Sequence, residues 1–415
     1  MPMTSADRSS RWPVWLCWLA MVLDGFDLVV LGTVIPTLIK SQDLGFDAVG
    51  ATLAATISLV GVGLGALFIA PLSDRLGRRR LLIACVAWFS LFTLAIVIAP
   101  NVLVFSIFRL LAGLGLGACL PAALAYMNDY ATKAGSAGRS TTRTMTGYHV
   151  GAVLTALLAL LLVPNWRMMF VIGGLAGLAL LPFLWFKLPE SLPPVRHAAD
   201  PVPAASFRDL AKKPYPVVAV GVGIASFMGL LLVYGLNTWL PQLMASAGYS
   251  IAAGIGQLLV LNVGAVVGLV IAGILADKHG AKKVVLLWFG LSAVLLAVLS
   301  IKLQNELLLN AAVFVTGVFV FSSQVLVYAW VSQLFPSRLR ATGLGFSAGV
   351  GRLGAILGPA VTGTLVAAGI AYPWGFYVFA AAAVIAVAAL VIVPQRIPHA
   401  EPIATAEATR ESAES

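Results

Sequence analysis

Twelve times along the chain, a run of about twenty mostly apolar residues gives way to a short polar connection, and that run length is what a helix needs to cross the hydrocarbon core of a bilayer. The pattern predicts helices over 14–36, 49–72, 81–99, 102–127, 142–163 and 167–186, then over 215–239, 252–275, 284–301, 306–330, 341–368 and 373–393. Between the sixth and seventh runs, residues 187–214 hold Pro189, Pro193, Pro194, Pro201 and Pro203 among several charges, which reads as a linker and not a span. The expected organisation is therefore a six-helix bundle over 1–186, a cytoplasmic linker over 187–214, a second six-helix bundle over 215–393 and a polar, disordered tail over 394–415. The fold class is an all-α membrane protein.

Composition agrees with that reading. Of 415 residues, 60% are hydrophobic and 10% charged, against roughly 25% charged in soluble domains. A water-soluble enzyme or a nucleic-acid binder is excluded, despite a formal charge of +10. The basic residues lie in the short connections, and 21 of the 26 fall on one side of a twelve-span layout. Only Lys40, Arg167 and Lys302 fall on the other side, and Arg109 and Arg352 lie within predicted helices. The positive-inside rule then puts both termini in the cytoplasm, with the chain multi-pass in the cell inner (plasma) membrane. Arg8 and Arg11 before an apolar run mimic a leader, but Asp24 and Asp27 interrupt that run, so cleavage is not expected. Cys17, Cys85 and Cys119 have no metal-ligand spacing and read as packing residues.

The two halves repeat. Asp74, Gly77 and Arg80 after the second run return as Asp277, Gly280 and Lys283 after the eighth, at a constant offset of 203, which also carries Gly61 to Gly264 and Gly65 to Gly268. Parallel repeats of this kind build transporters with a midplane site between two bundles. In the connection Ser73-Asp74-Arg75-Leu76-Gly77-Arg78, the aspartate can cap or pair at a helix end and the glycine permits a tight turn. Asp74, Arg75, Gly77, Arg78 and Asp277 are thus candidates for a conformational latch.

A charge at mid-bilayer costs at least about 2.5–3.5 kcal/mol on insertion scales, so intramembrane charges are functional candidates. Four stand out: Asp24 and Asp27 in the first helix, Arg109 in the fourth and Arg352 in the eleventh. With a rise of about 1.5 Å per residue, Asp27 and Arg109 both fall about 10 Å below the outer surface. Asp24 and Arg352 fall nearer the middle. Buried aspartates can take up and release protons, and an arginine fork matches a carboxylate. The combination suits an organic anion travelling with protons, since importing an anion against the membrane potential costs about 2.3 kcal/mol per charge per 100 mV. Asp24 and Asp27 are assigned to proton coupling, and Arg109 and Arg352 to the substrate carboxylate or to charge pairing. Tyr234, Asn237, Gln324, Tyr328 and His149 are candidate ring contacts, with His149 also readable as a packing or relay histidine. Trp239 and Trp330 read equally well as interfacial anchors. No nucleophile, metal or cofactor constellation suggests an enzyme.

Two resemblances sharpen these expectations. The glycine-rich second helix running into Ser73-Asp74-Arg75-Leu76-Gly77-Arg78-Arg79 resembles the signature loop of the major facilitator superfamily. Asp24-Gly25-Phe26-Asp27 resembles the first-helix motif of the aromatic acid:proton symporter family. Arg109 with Gly113, Gly115 and Gly117, Trp239-Leu240-Pro241, and Gly349-Val350-Gly351-Arg352 are similar to later segments of that family, in the same order. Asp129 departs from it, standing where the family usually has Glu, and so does Tyr148-His149. The resemblance implies proton-coupled uptake of a benzoate-like or hydroxybenzoate-like acid by alternating access. The further expectations are no cofactor beyond the coupling ion H+, no nucleic-acid partner, and a monomer in the lipid bilayer. Import of another small organic anion, or proton-antiporting export, is the alternative.

Overall fold

The computed structural model describes residues 12–133, 137–162, 165–189 and 207–395. Twelve long helices follow one another, with no strand among the described residues: α1 (Trp12–Ser41), α2 (Ala48–Leu64), α3 (Arg78–Ala95), α4 (Val102–Lys133), α5 (Ala137–Leu162), α6 (Trp166–Lys187), α7 (Pro216–Ser246), α8 (Ile251–His279), α9 (Ala281–Leu299), α10 (Glu306–Leu334), α11 (Ser337–Ala367) and α12 (Ala371–Ile392). They form two six-helix bundles. Among the described residues eleven are long and apolar enough to cross a membrane, and α5 contributes the shorter apolar stretch Thr146–Leu162.

Several helices outrun the expected limits. α1 and α7 extend to Ser41 and Ser246, past Pro36 and Pro241, which lie inside them. Backbone groups in hydrocarbon must bond within the helix, so a single proline does not end one there. The linker is ordered at its end, where Phe207–Ala211 forms a 3₁₀ turn that buries Leu210. Residues 190–206 and the expected disordered tail from 396 lie outside the described residues.

The repeat is built into the backbone. Gly77 and Gly280 turn the chain with nearly identical positive φ, 91° and 88°, and the same ψ of 137°. That conformation is open to glycine and strained for other residues. The α2–α4 contact in one half matches α8–α10 in the other. A Cβ at Gly61 or Gly65 would lie 2.3 or 2.1 Å from the carbonyls of Leu110 or Leu114, and at Gly264 or Gly268 it would lie 2.2 or 2.0 Å from those of Phe314 or Val318. Capping repeats as well. Asp47 and Ser250, offset by 203, accept from Gly50 N and Ala253 N at the starts of α2 and α8. Asn101 and Asn305, offset by 204, do the same for Val104 N and Leu307 N at the starts of α4 and α10. Each side chain satisfies a backbone donor that the helix leaves unpaired.

The bundles meet along α1–α7, α2–α11 and α5–α8. At the end that carries Asp43, α1 and α7 cross at Gly32, where a Cβ would lie 2.1 Å from the Asn237 carbonyl oxygen, and α11 meets α2 at Gly363, whose Cβ would lie 2.1 Å from Thr52 Oγ1. One face of α11 touches α2 at Gly363 and again through Ile356, near Gly63. Two turns further on, at Gly349 and Gly345, a Cβ would meet no atom within 4 Å. The bundles are therefore sealed at the Asp43 end and diverge toward the Gly77 end.

Candidate functional site

The buried charges sit on helices that glycine lets approach closely. In Asp24-Gly25-Phe26-Asp27, a Cβ at Gly25 would lie 2.0 Å from the Tyr148 carbonyl oxygen of α5, so only glycine permits this α1–α5 contact. Phe26 turns the other way and packs its ring on Gly173 of α6. Asp24 and Asp27 are left on the interior of the first bundle, 3% and 2% exposed.

Asp27 is fully engaged. Arg109 Nη1 of α4 donates to its Oδ2 at 2.8 Å, Arg109 Nη2 donates to its main-chain carbonyl at 3.1 Å, and Thr93 Oγ1 of α3 donates to Oδ1 at 2.7 Å. Arg109 itself is 1% exposed. A buried pair in which both carboxylate oxygens of the acid are engaged in this way avoids the penalty of isolated charge, although Arg109 Nε is left without a partner. The pair lies at one level, as the helical rise predicts.

Asp24 is different. Its Oδ1 is buried without a hydrogen-bond partner. Its electrostatic neighbours are Arg352 of α11, in the other bundle, and Asp27 one turn away. Arg352 Nη1 makes a long hydrogen bond of 3.4 Å to the Tyr234 hydroxyl of α7 and interacts with Tyr328 of α10. Tyr148 completes the group, interacting with Asp24, Tyr234 and Arg352. One carboxylate, one guanidinium and three phenols thus gather where the bundles face each other. Next to them is a cavity of about 10 Å³, lined by Ser58, Arg109, Tyr148, Tyr234 and Asn237 among others. That is room for about one water molecule. Ser58 Oγ, Arg109 Nε and Asn237 Nδ2 are buried there without partners.

The remaining candidates separate. Asn237 holds Asn262 of α8 through its side-chain oxygen at 3.1 Å. Gln324 is 3% exposed, and its amide lies beside Tyr328 without an aligned hydrogen bond. His149 stacks edge-on against Tyr148 and across the bundle interface against Phe321, and its Nδ1 has no partner, so it is not a satisfied packing histidine. Trp239 and Trp330 are not interfacial anchors. Both are buried, and Trp239 donates its indole N–H to the Pro359 carbonyl at 3.0 Å, because α7 and α10 continue past them. Of the latch candidates, Arg78 donates to the Ala125 carbonyl of α4 within its own bundle, Gly77 makes the turn, and Asp277 is exposed. The side chains of Asp74, Arg75 and Asp129 lie outside the described residues.

Thr93, Ser58 and Tyr148 escape sequence reasoning. A lone hydroxyl in an apolar helix signals nothing by itself; only Tyr148, next to His149, broke the expected pattern. Among the described residues, no group of His, Cys, Asp and Glu is placed to hold a metal ion.

The chain as a whole is similar in sequence and in fold to known transporters. The gentisate transporter of Corynebacterium glutamicum is 34% identical over 383 residues, covering 90% of this chain and 85% of that protein. The benzoate transport protein of Acinetobacter baylyi is 30% identical over 426 residues, covering 94% and 90%. A crystal structure of a D-xylose-proton symporter superposes with a TM-score of 0.76 at 17% identity, covering 92% of this chain and 97% of that one, which is a likeness of fold. The Major Facilitator Superfamily model matches residues 17–269 and 255–415. The chain therefore belongs to the Major Facilitator Superfamily and is a multi-pass membrane transporter, not an enzyme.

Proposed function

We propose that this transporter imports a monoaromatic carboxylate, of the benzoate or hydroxybenzoate class, together with protons across the cell inner membrane. The observation that carries the reading is that Asp24, buried with its Oδ1 unpartnered, interacts electrostatically with Arg352 of the other bundle, whose Nη1 reaches the Tyr234 hydroxyl at 3.4 Å and which also interacts with Tyr148 and Tyr328. An arginine and phenols recognise a carboxylate on a ring, and a neighbouring acid without a fixed partner can exchange a proton. The names of the two relatives, gentisate and benzoate transporters, support the same class of cargo.

Within this reading the four charges divide their work. Arg352 takes the cargo carboxylate, and Asp24 takes up and releases the coupling proton. Asp27 and Arg109, already paired, hold Asp24's helix in register and respond to its charge. Both termini face the cytoplasm, so the sealed Asp43 end faces outward and the divergent end faces the cell. Bundles over 1–186 and 215–393, joined by the linker 187–214, rock about the site. Asp74, Arg75, Gly77, Arg78 and Asp277 latch the inner face. The unit is a monomer and uses no cofactor beyond the ion H+.

The test is uptake into proteoliposomes under an imposed inward proton gradient. Labelled benzoate, 4-hydroxybenzoate, protocatechuate and gentisate are compared with a dicarboxylate. At least one ring acid is expected to accumulate and to be released by a protonophore. Accumulation of the dicarboxylate alone, or uptake indifferent to the protonophore, defeats the proposal.

A further inference from the structure

The cavity of about 10 Å³ straddles the boundary between the bundles. Ser58 of α2 and Arg109 of α4 line it from the first, and Asn237 of α7 lines it from the second. Ser58 Oγ, Arg109 Nε and Asn237 Nδ2 are all buried without a hydrogen-bond partner, on residues 2%, 1% and 3% exposed. Helical rise sets the three at similar depth. Ser58 lies ten residues after the start of α2, Arg109 seven after the start of α4 and Asn237 nine before the end of α7, about 15, 11 and 14 Å below the sealed rim.

The surrounding bonds fix which atoms are left over. Arg109 Nη1 and Nη2 are committed to Asp27. Asn262 Nδ2 donates to the Leu258 carbonyl at 3.0 Å and to Asn237 Oδ1 at 3.1 Å, which turns the Asn237 oxygen toward α8 and leaves its nitrogen over. Of the three atoms, two can only donate and the serine hydroxyl can also accept. Such a set repels a cation, and the space suits nothing larger than one water, which needs two to four polar partners. Water accepts from the guanidinium and the amide and donates to the serine.

We infer that one water molecule is bound between Arg109, Ser58 and Asn237 and acts as a bridge that holds the bundles together beneath their seam. A bridging water is nearly as good as a direct hydrogen bond. The Asn237 main chain is itself part of the seam, packed on Gly32, so opening that end draws Asn237 away and breaks the bridge. The role of the bridge in the transport cycle rests on the reading above: through it, the Asp27–Arg109 pair responds to closure of the second bundle. Asn237 and Ser58 are positioning residues in this scheme and do not touch cargo.

Two measurements test it. A crystal structure or electron cryomicroscopy map of the parent that resolves ordered water should show one water about 3 Å from each of the three atoms. A dry cavity beside other well-resolved buried waters overturns the inference. The second measurement is maleimide labelling of a Thr52→Cys protein in detergent, since position 52 lies at the seam against Gly363. Ser58→Ala and Asn237→Ala should each speed labelling about tenfold, the scale of one buried polar group left unpaired. The double variant should label no faster than the faster single one, because both remove the same water. Unchanged rates, or rate increases that multiply in the double variant, overturn the bridge. Neither measurement uses transport, so a parent that carries no ring acid defeats the transport reading and leaves the bridge standing.

Discussion

Thr93 on α3 donates a 2.7 Å hydrogen bond to Oδ1 of Asp27, on the side of the carboxylate opposite Arg109. A third helix thereby fixes an ion pair that the first and fourth helices make. Hydrogen bonds to charged groups contribute about 1.5–3 kcal/mol. Thr93→Val, nearly the same in shape, should lower thermal stability in detergent and slow proton-driven uptake. Thr93→Ser should restore both. A Thr93→Val protein as stable as the parent would mean that the bond contributes nothing.

The Asp27–Arg109 pair should behave as a unit. Removing one partner of a buried pair costs about 3–5 kcal/mol, since the other charge stays in the interior alone. Asp27→Asn is expected to lower the unfolding midpoint more than the double variant Asp27→Asn with Arg109→Gln, although neither accumulates cargo. Additive losses in this double-mutant cycle would separate the two residues.

Asp24, in contrast, should be separable from cargo movement. Asp24→Asn keeps the size of the side chain and removes its exchangeable proton. Exchange of labelled for unlabelled ring acid across the membrane at equilibrium should persist, while uphill accumulation is lost. Accumulation at the parent rate would assign the coupling proton elsewhere.

The crossing of α1 over α7 tolerates no side chain at Gly32, whose Cβ would lie 2.1 Å from the Asn237 carbonyl oxygen. Gly32→Val should hold the Asp43 end ajar and stop transport while the protein remains in the membrane. Thr52, against Gly363 at the same seam, offers the readout. A cysteine at position 52 should react with an impermeant maleimide faster in the Gly32→Val background, and an unchanged rate would show that the seam still closes.

At that same end, outside the spans, the Trp166 indole N–H donates to Asp43 at 2.9 Å and Arg167 pairs with it at 3.0 Å. The indole hydrogen bond, then the guanidinium, holds the Asp43 carboxyl below its ordinary value. A group whose folded pKa is depressed stabilises above its unfolded pKa, about 3.9, and loses that contribution as pH falls through the folded value. Asp43→Asn should therefore be less stable than the parent at pH 7, with the gap narrowing below about pH 4. A gap that is constant with pH would remove the carboxylate from the account.

How far the sequence reaches depends on what each inference needs. Counting residues at a fixed rise put Asp27 and Arg109 at one depth because rise is a local property, and the 203-residue offset exposed the repeat because it compares the chain with itself. Which side chain meets which depends on helix rotation, and no count supplies that. Thr93 and Ser58 look like packing residues until α3 and α2 are turned toward the site. Hydropathy alone ends α7 at Trp239 and makes it an anchor, whereas the helix runs seven residues further and carries the indole into the interior. The distinction between Asp24 and Asp27, three residues apart on one face, appears only when their partners are seen.

The paired caps at Asp47 and Ser250, and at Asn101 and Asn305, set where four helices begin on the same rim. With those starts pinned in both halves, the rim acts as a sill of fixed height. A helix that cannot slide at one rim accommodates a thicker or thinner bilayer at the other. Lipid tail length should thus bear chiefly on the rim where the halves part, and make turnover sensitive to the membrane it inhabits.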